Sequence, residues 1–152
     1  MIKREESITR ELKILNNKIK RAADASIPAE LRDEVTEMQC RVLGFLTHHA
    51  DQDLFQRDVE ADFSITRATA SKLLAGMEHA GLITRSAVAG DARLKKLEPT
   101  EHGAAVFLKM REGMMAFEES MTGNFTPEER KTLLTLLRKL EQNIDGKRGE
   151  RG

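Results

Sequence analysis

The segment from Asp53 to Thr100 constrains the fold of this chain more than any other part of the sequence. Its centre predicts an amphipathic helix from about Thr66 to His79. The apolar positions of this helix follow the i, i+3, i+4, i+7 spacing of one face: Ala70, Leu73, Leu74 and Met77. Gly81 provides a left-handed stop, and Leu82–Val88 and Leu94–Glu98 predict two strands around a tight turn. With a short helix over residues 55–63 before it, this order predicts a winged helix-turn-helix, which places a helix in a DNA groove.

The outward face of the predicted helix differs from an ordinary solvated face. Its residues are small, and no acid occurs on it before Glu78. Small side chains let a helix lie deep in the major groove, while hydroxyl groups and cations bond to phosphates and base edges. An ordinary amphipathic helix, the alternative, would more often carry glutamate there. The residues expected to contact DNA from this helix are Thr66, Arg67, Ala68, Thr69, Ser71 and Lys72.

The predicted hairpin is basic, as a wing that enters the minor groove would be. Cations suit this groove because its electrostatic potential is strongly negative. Asp91 stands two residues before Arg93, and a bidentate contact between the two side chains would orient the guanidinium; the alternative for Asp91 is a plain turn residue. The hairpin residues expected to contact or organise DNA binding are Arg85, Asp91, Arg93 and Lys95, with Lys96 beside them.

The charge of the chain sums to zero, but its distribution is uneven. Residues 1–23 carry seven Lys/Arg against three acids, residues 24–63 three against ten, residues 64–96 six against two and residues 97–152 nine against ten. The segment assigned to DNA is therefore locally basic, as phosphate contacts require. No apolar run is long enough for a membrane span or a signal peptide. One cysteine excludes an intrachain disulfide, and with no export signal the cytoplasm is the expected compartment.

The remaining helices carry narrow apolar stripes that need a partner surface. A helix over residues 4–24, another over 36–49 and two after Thr100 are predicted, the last beginning at the Thr126-Pro127 cap. A chain of this size would struggle to bury all the terminal stripes, so a twofold homodimer is expected. The expected dimerisation residues are Ile8, Leu12, Leu15, Ile19, Phe107, Met110, Met114, Phe117, Met121, Leu133, Leu137 and Leu140.

These patterns divide the chain into four parts. Residues 1–34 are expected to form a dimerisation helix and linker, residues 35–100 the DNA-binding lobe, residues 101–145 the C-terminal dimerisation helices and residues 146–152 a flexible tail. The fold class is thus mainly α with a small β-wing, in a winged helix-turn-helix lobe plus a helical dimerisation lobe.

The segment from about Thr36 to Gly103 resembles the MarR family of bacterial transcription regulators. The most specific parts are the string Ile65–Leu74, the Asp91-Ala92-Arg93 wing and the Thr100-Glu101-His102-Gly103 helix start. The resemblance implies a winged helix-turn-helix on a dimer stalk made from the first and last two helices. It also implies DNA contacts from the fourth helix and from Arg93, oriented by Asp91.

Two residues depart from the pattern of the family. Phe55 replaces the usual Ser or Thr cap, so Asp53 is the expected cap of that helix. Pro99 replaces an apolar strand residue. Neither departure changes the expected fold.

Three other groups of residues are candidates for chemistry. Cys40 is interpreted either as a buried structural cysteine or as a thiol sensor. A sensor needs thiolate character and access to solvent. The methionines at 110, 114 and 121 read as core filler or as the lining of a ligand cavity between the dimer stalk and the DNA-binding lobe. His48 and His49 are adjacent and point about 100° apart on a helix, which disfavours a shared metal ion. No cofactor and no metal are predicted.

The sequence therefore predicts a DNA-binding transcriptional regulator, most simply a repressor. It would bind a pseudo-palindromic operator as a homodimer, and a small-molecule effector could change its affinity for double-stranded DNA. The alternative is a winged-helix protein-interaction module without specific DNA binding. An enzyme is excluded because no nucleophile–base pair, phosphate loop or metal triad appears at a usable spacing.

Overall fold

The computed structural model describes residues 1–149 and confirms the predicted fold class. The chain is mainly helical and carries one two-stranded antiparallel sheet, the wing. In chain order the elements are α1 (Ile8–Ser26), α2 (Glu37–His48), α3 (Gln56–Phe63), α4 (Arg67–His79), β1 (Ile83–Val88), β2 (Asp91–Pro99), α5 (Glu101–Thr122) and α6 (Pro127–Gly149). Short 3-10 turns occupy Arg4–Glu6 and Ala29–Leu31. No helix within residues 1–149 has the length and apolar character that crossing a membrane requires.

The chain divides into two compact units, Met1–Met115 and a second that begins at Ala116. This division differs from the boundaries predicted at residues 34 and 100. Those boundaries separate the DNA-binding lobe from the dimerisation helices by function, and they stay a prediction. The first unit contains the winged helix-turn-helix. Its core is built from α2, α4, the base of the wing and the first turns of α5, with Leu43, Leu74, Met77, Leu82 and Val106 among its buried residues.

Capping residues set several helix starts in the first unit. The Ser7 hydroxyl accepts a hydrogen bond from the Arg10 amide (3.3 Å) at the start of α1. Thr36 and Gln39 form a reciprocal capping box at α2. At α3 the Asp58 carboxylate accepts from the Phe55 amide (2.8 Å). The expectation that Asp53 caps α3 is therefore wrong, because the helix supplies its own acid from its first turn.

Two residues expected at a dimer interface lie instead in the core of the single chain. Phe107 is 8 % exposed and Met110 is 3 % exposed. Gly44 on α2 makes this burial possible, because a Cβ added at this glycine would lie only 3.1 Å from the Phe107 ring. The first half of the α5 stripe thus faces the chain's own core rather than a second molecule.

The second unit contains the end of α5 and all of the described part of α6. The start of α6 has the predicted cap, since the Thr126 hydroxyl accepts from the Glu129 amide (3.1 Å) and the Glu129 carboxylate from the Thr126 amide (3.4 Å). Arg130 bonds to Glu118 (3.2 Å) and Thr122 (3.0 Å), which joins the two helices. The helix continues to Gly149, so residues 146–149 are helical where the sequence predicted a flexible tail over 146–152. Glu150, Arg151 and Gly152 lie outside the described residues.

Candidate nucleic-acid interface

The N-terminal end of α4 is fixed by hydrogen bonds that the sequence encodes locally. The Thr66 hydroxyl accepts from the Thr69 amide (3.2 Å) and donates to the Thr69 hydroxyl (2.9 Å). Gln56 Nε2 on α3 donates to the Arg67 carbonyl (3.3 Å), which ties the two helices together. Thr66 therefore serves as the helix cap, a use that competes with the DNA contact predicted for its hydroxyl. No pattern in the sequence pointed to this role of Gln56.

The outward face of α4 is as exposed as predicted. Ala70, Leu74 and Met77 are fully buried on the inner face, whereas the first turn of the helix holds no acidic residue. Among residues 1–149, neither Arg67 nor Lys72 takes part in a salt bridge. The predicted residues on this exposed face are Arg67, Ala68, Thr69, Ser71 and Lys72. The face combines small size, hydroxyl groups and uncompensated positive charge.

The connection from α4 to the wing is a tight backbone turn. Gly81 has φ +73°, a left-handed conformation that glycine adopts without strain. The Leu82 amide donates to the Met77 carbonyl (2.9 Å) and the Gly81 amide to the Glu78 carbonyl (3.0 Å), which ends the helix in a Schellman-type cap. Strand β1 therefore leaves α4 in a defined direction.

The wing carries an irregular tip that presents Arg93. Strands β1 and β2 pair in register from Ile83↔Pro99 to Ala87↔Lys95, after which Val88 pairs with Asp91. The register shift leaves residues 92–94 outside the regular ladder. Asp91 Oδ1 accepts from the Arg93 amide (2.9 Å), an Asx-turn contact that shapes this bulge. The predicted contact of Asp91 with the guanidinium is wrong, because the Asp91 carboxylate accepts from the backbone amide of Arg93. The side chain of Arg93 is exposed.

Two of the predicted wing cations are engaged by acidic partners. Arg85 Nη2 lies 3.1 Å from Glu78 Oε1 on α4, and this hydrogen bond lowers the pKa of the glutamate. Lys96 Nζ lies 2.9 Å from Glu98 and 3.0 Å from Asp53, and hydrogen bonds to these carboxylates raise the pKa of the lysine. Arg85 thus has an intramolecular partner, Glu78, and its predicted contact with DNA stays a prediction.

Arg93 and Lys95 remain exposed, and neither takes part in a salt bridge within residues 1–149. The structure therefore leaves four predicted cations available to phosphates: Arg67, Lys72, Arg93 and Lys95. Their placement on the α4 face and the wing tip is the arrangement that a winged helix uses on duplex DNA.

Comparison with known proteins identifies the family. A model of the MarR family matches residues 34–94. The HTH-type transcriptional regulator YybA of Bacillus subtilis (strain 168) is 30 % identical over 129 residues, which cover 84 % of each chain. This chain belongs to the MarR family. It is a transcriptional regulator of the DNA-binding class, and not an enzyme.

Solved structures agree with this assignment. MepR of S. aureus in complex with DNA superimposes with a TM-score of 0.81 over 90 % of this chain and 98 % of that chain, at 24 % identity, which shows the likeness of the fold. The transcription regulator MarR of Oenococcus oeni PSU-1 has a TM-score of 0.76 over 90 % and 99 % of the two chains, at 26 % identity.

The first unit also contains an open groove of about 560 Å³ between α2, α3 and α5. Its walls combine aromatic side chains with two arginines and one acid, Asp62, and Met114 is the predicted cavity methionine that lies here. The residues relevant to binding are Arg41, Phe45, Phe63, Phe107, Arg111 and Met114. The rings of Phe45 and Phe63 meet edge to face at 5.8 Å, and the Arg41 guanidinium lies 5.7 Å from the Phe63 ring.

Cys40 and the two adjacent histidines lie in surroundings that fit a structural role. Cys40 is fully buried. This burial, and to a lesser extent the negative charge of Glu37, raises the pKa of its thiol to about 12. A thiol of this kind is a poor sensor because the reactive thiolate is scarce at neutral pH. The Nδ1 atoms of His48 and His49 lie 3.0 and 2.9 Å from the carbonyls of Gly44 and Phe45. Within residues 1–149, no group of three or more metal-ligating side chains converges.

Proposed function

We propose that this protein is a repressor that binds a pseudo-palindromic operator as a homodimer. The observation that carries the proposal is the exposed, acid-poor face of α4 beside a wing tip that presents Arg93. In this arrangement α4 reads base edges in the major groove and Arg93 enters the neighbouring minor groove. Support also comes from MepR of S. aureus, whose structure was solved with DNA.

The dimer sets the geometry of the operator. Two copies related by a twofold axis present two α4 helices, so the half-sites lie about 10 base pairs apart from centre to centre, or a multiple of this spacing. A dimer seated on an operator that overlaps a promoter excludes RNA polymerase. Exposed apolar residues on α1, namely Ile8, Leu12 and Leu15, support a partner surface in the first unit.

Removal of the wing arginine tests the proposal. In Arg93→Ala we expect the operator affinity to fall by about 2 kcal/mol or more, because each subunit loses a minor-groove contact. The measurement is fluorescence anisotropy with the intergenic DNA upstream of the protein's own gene, against a scrambled duplex at two salt concentrations. Lys109→Ala is the matched control, since Lys109 is an exposed α5 cation outside the proposed interface and its loss should leave the affinity nearly unchanged.

Two results would contradict the proposal. Equal loss of affinity in Lys109→Ala and Arg93→Ala would show that only the net charge matters. A wild-type protein that binds the intergenic and scrambled duplexes equally would favour the alternative, a winged-helix module that binds another protein.

We propose further that the groove between α2, α3 and α5 binds an effector that is an aromatic anion. Aromatic rings supply stacking surfaces. Arg111 makes no salt bridge within residues 1–149 and supplies the countercharge, whereas Arg41 lies 3.8 Å from Glu37 and is partly compensated. Phe63 ends α3 immediately before Ser64, which has φ +51° in the turn to α4. A ligand that displaces Phe63 would therefore favour a different position of α4 and shift the population of the DNA-competent dimer.

An aromatic sulfonate probe tests the effector site. We expect 1-anilinonaphthalene-8-sulfonate to gain fluorescence on binding and to weaken operator binding. In Arg111→Ala its affinity should fall about tenfold, the loss of one charge-assisted contact, whereas Arg138→Ala on α6 should leave it unchanged. An identical response in wild type and Arg111→Ala, with no effect on DNA binding, would exclude the groove as the effector site.

A further inference from the structure

The segment proposed to bind DNA contains only two acidic residues, and both make contacts that determine local geometry. Residues 64–96 hold six Lys/Arg and, as acids, Glu78 and Asp91. Asp91 accepts from the Arg93 amide (2.9 Å) and shapes the wing tip. Glu78 lies in the last turn of α4 and bonds to Arg85 on β1 (3.1 Å). An acid close to a DNA surface repels phosphate and weakens binding. We therefore expect each of these two acids to have a structural role that offsets this repulsion.

The contact between Glu78 and Arg85 spans the junction between α4 and the wing. The backbone at this junction turns at Gly81, and the salt bridge joins the two elements on either side of the turn. The Arg85 side chain is 27 % exposed and that of Glu78 is 44 % exposed. A partly exposed pair contributes little to global stability. Any effect of the pair is therefore local, at the junction between α4 and β1.

We propose that Glu78 and Arg85 are positioning residues that set the angle between α4 and the wing, and that sequence-specific binding depends on this angle. The inference rests on the proposed DNA-binding function. A helix in the major groove and a wing tip in the minor groove must fit the same duplex at once, and a fixed angle removes the ordering cost of that fit. Non-specific binding needs only cations near phosphates, so it does not depend on the angle.

The competing assignment gives opposite expectations. If Arg85 contacted a phosphate directly and Glu78 only repelled DNA, Arg85→Ala would weaken binding to every duplex and lower the salt slope by about one per subunit. Glu78→Ala would then strengthen binding to every duplex. The positioning role predicts instead that both variants lose specific affinity and that the salt slope stays the same.

A double-mutant cycle distinguishes the two assignments. Glu78→Ala, Arg85→Ala and the double variant are compared on a duplex selected by the wild-type protein from a random-sequence pool, and on a scrambled duplex. We expect each single variant and the double variant to lose about tenfold in specific affinity, because residues that act as a pair are not additive. Asp51→Ala is the control, since it removes an exposed acid of the same unit that makes no salt bridge within residues 1–149.

The outcomes separate failure of this inference from failure of the proposed function. Additive effects of opposite sign on both duplexes would overturn the positioning role while leaving DNA binding intact. A wild-type protein that selects no duplex would overturn the proposed function instead. Melting temperatures of all variants, measured in parallel, should stay near wild type, and a large drop in the single variants would assign the pair to folding.

A measurement without DNA tests the angle itself. Spin labels are attached at Ala75→Cys on α4 and Ala87→Cys on β1, and labelled chains are diluted with unlabelled ones. Cys40 is fully buried and does not compete for the label. We expect a narrow distance distribution in the wild-type background and a broader one after Glu78→Ala. Equal widths would overturn the proposal.

Discussion

Gly103→Ala is expected to destabilise the protein by about 3 kcal/mol, although alanine is ordinarily the better helix former. A Cβ built on Gly103 collides with the carbonyl oxygen of Leu82 and lies 3.2 Å from Leu43 Cδ2. The Leu82 carbonyl cannot easily move, because it accepts from the Thr100 amide (3.0 Å) beside the start of α5. The methyl group must therefore push α5 away from the buried start of the wing.

The measurement is urea denaturation of wild type and variant at one protein concentration, since an oligomer's stability depends on concentration. Gly113→Ala is the matched control in the same helix. Its Cβ would lie 3.6 Å from the Ser26 carbonyl, an ordinary contact, so this variant should match or exceed the wild-type stability. A Gly103→Ala protein as stable as Gly113→Ala would show that α5 does not pack against Leu82 as described.

Much of the fold could be predicted from the sequence because the signals that define its elements are local. The period of the apolar residues in α4, the glycine at 81 and the alternation of the wing strands are local signals, and each acts on the backbone within a few residues. The Thr100 start of α5 is equally local: its hydroxyl accepts from the Gly103 amide (2.9 Å). Such features can be predicted without knowledge of the tertiary structure.

Contacts that depend on the three-dimensional arrangement of the chain could not be predicted in the same way. Charge and spacing showed Asp91 near Arg93, but the choice between backbone and guanidinium depends on the bulge at Ala87/Val88. The salt bridge of Arg85 was not predicted, because its partner, Glu78, lies on another element across a turn. The one sequence signal for this pair was the isolated acid itself, at the end of an otherwise acid-poor helix.

The apolar stripe of α5 shows a second limit. A periodic apolar stripe indicates that one face of a helix is buried, but it does not indicate which surface packs against that face. Phe107 and Met110 are covered by the chain's own core because Gly44 leaves room for the aromatic ring. The stripes on α1 and α6 have the same spacing but remain exposed, so for these helices the prediction of a partner stands as a proposal.

The described part of α6 supplies the strongest reason to expect this partner. It contains no buried residue, and its apolar side chains are open to solvent, with Leu133 at 41 %, Leu136 at 53 % and Ile144 at 60 % exposure. A long amphipathic helix in this condition is normally covered by another chain. Leu137 and Leu140 on the same stripe are half-buried, so the solvent-exposed positions are the better sites for a test.

Leu133→Glu is therefore expected to convert a homodimer into a monomer, because it places a charge in an apolar interface. Operator affinity should then fall about a hundredfold or more, since the two DNA-binding lobes are no longer held at a high effective concentration. Light scattering coupled to gel filtration reports the mass, and anisotropy reports the DNA affinity. Gln142→Glu adds the same charge to an exposed polar position of α6 and should leave both unchanged. A Leu133→Glu protein that stays dimeric and binds its operator with wild-type affinity would remove α6 from the interface and leave the stripe on α1 as the remaining candidate.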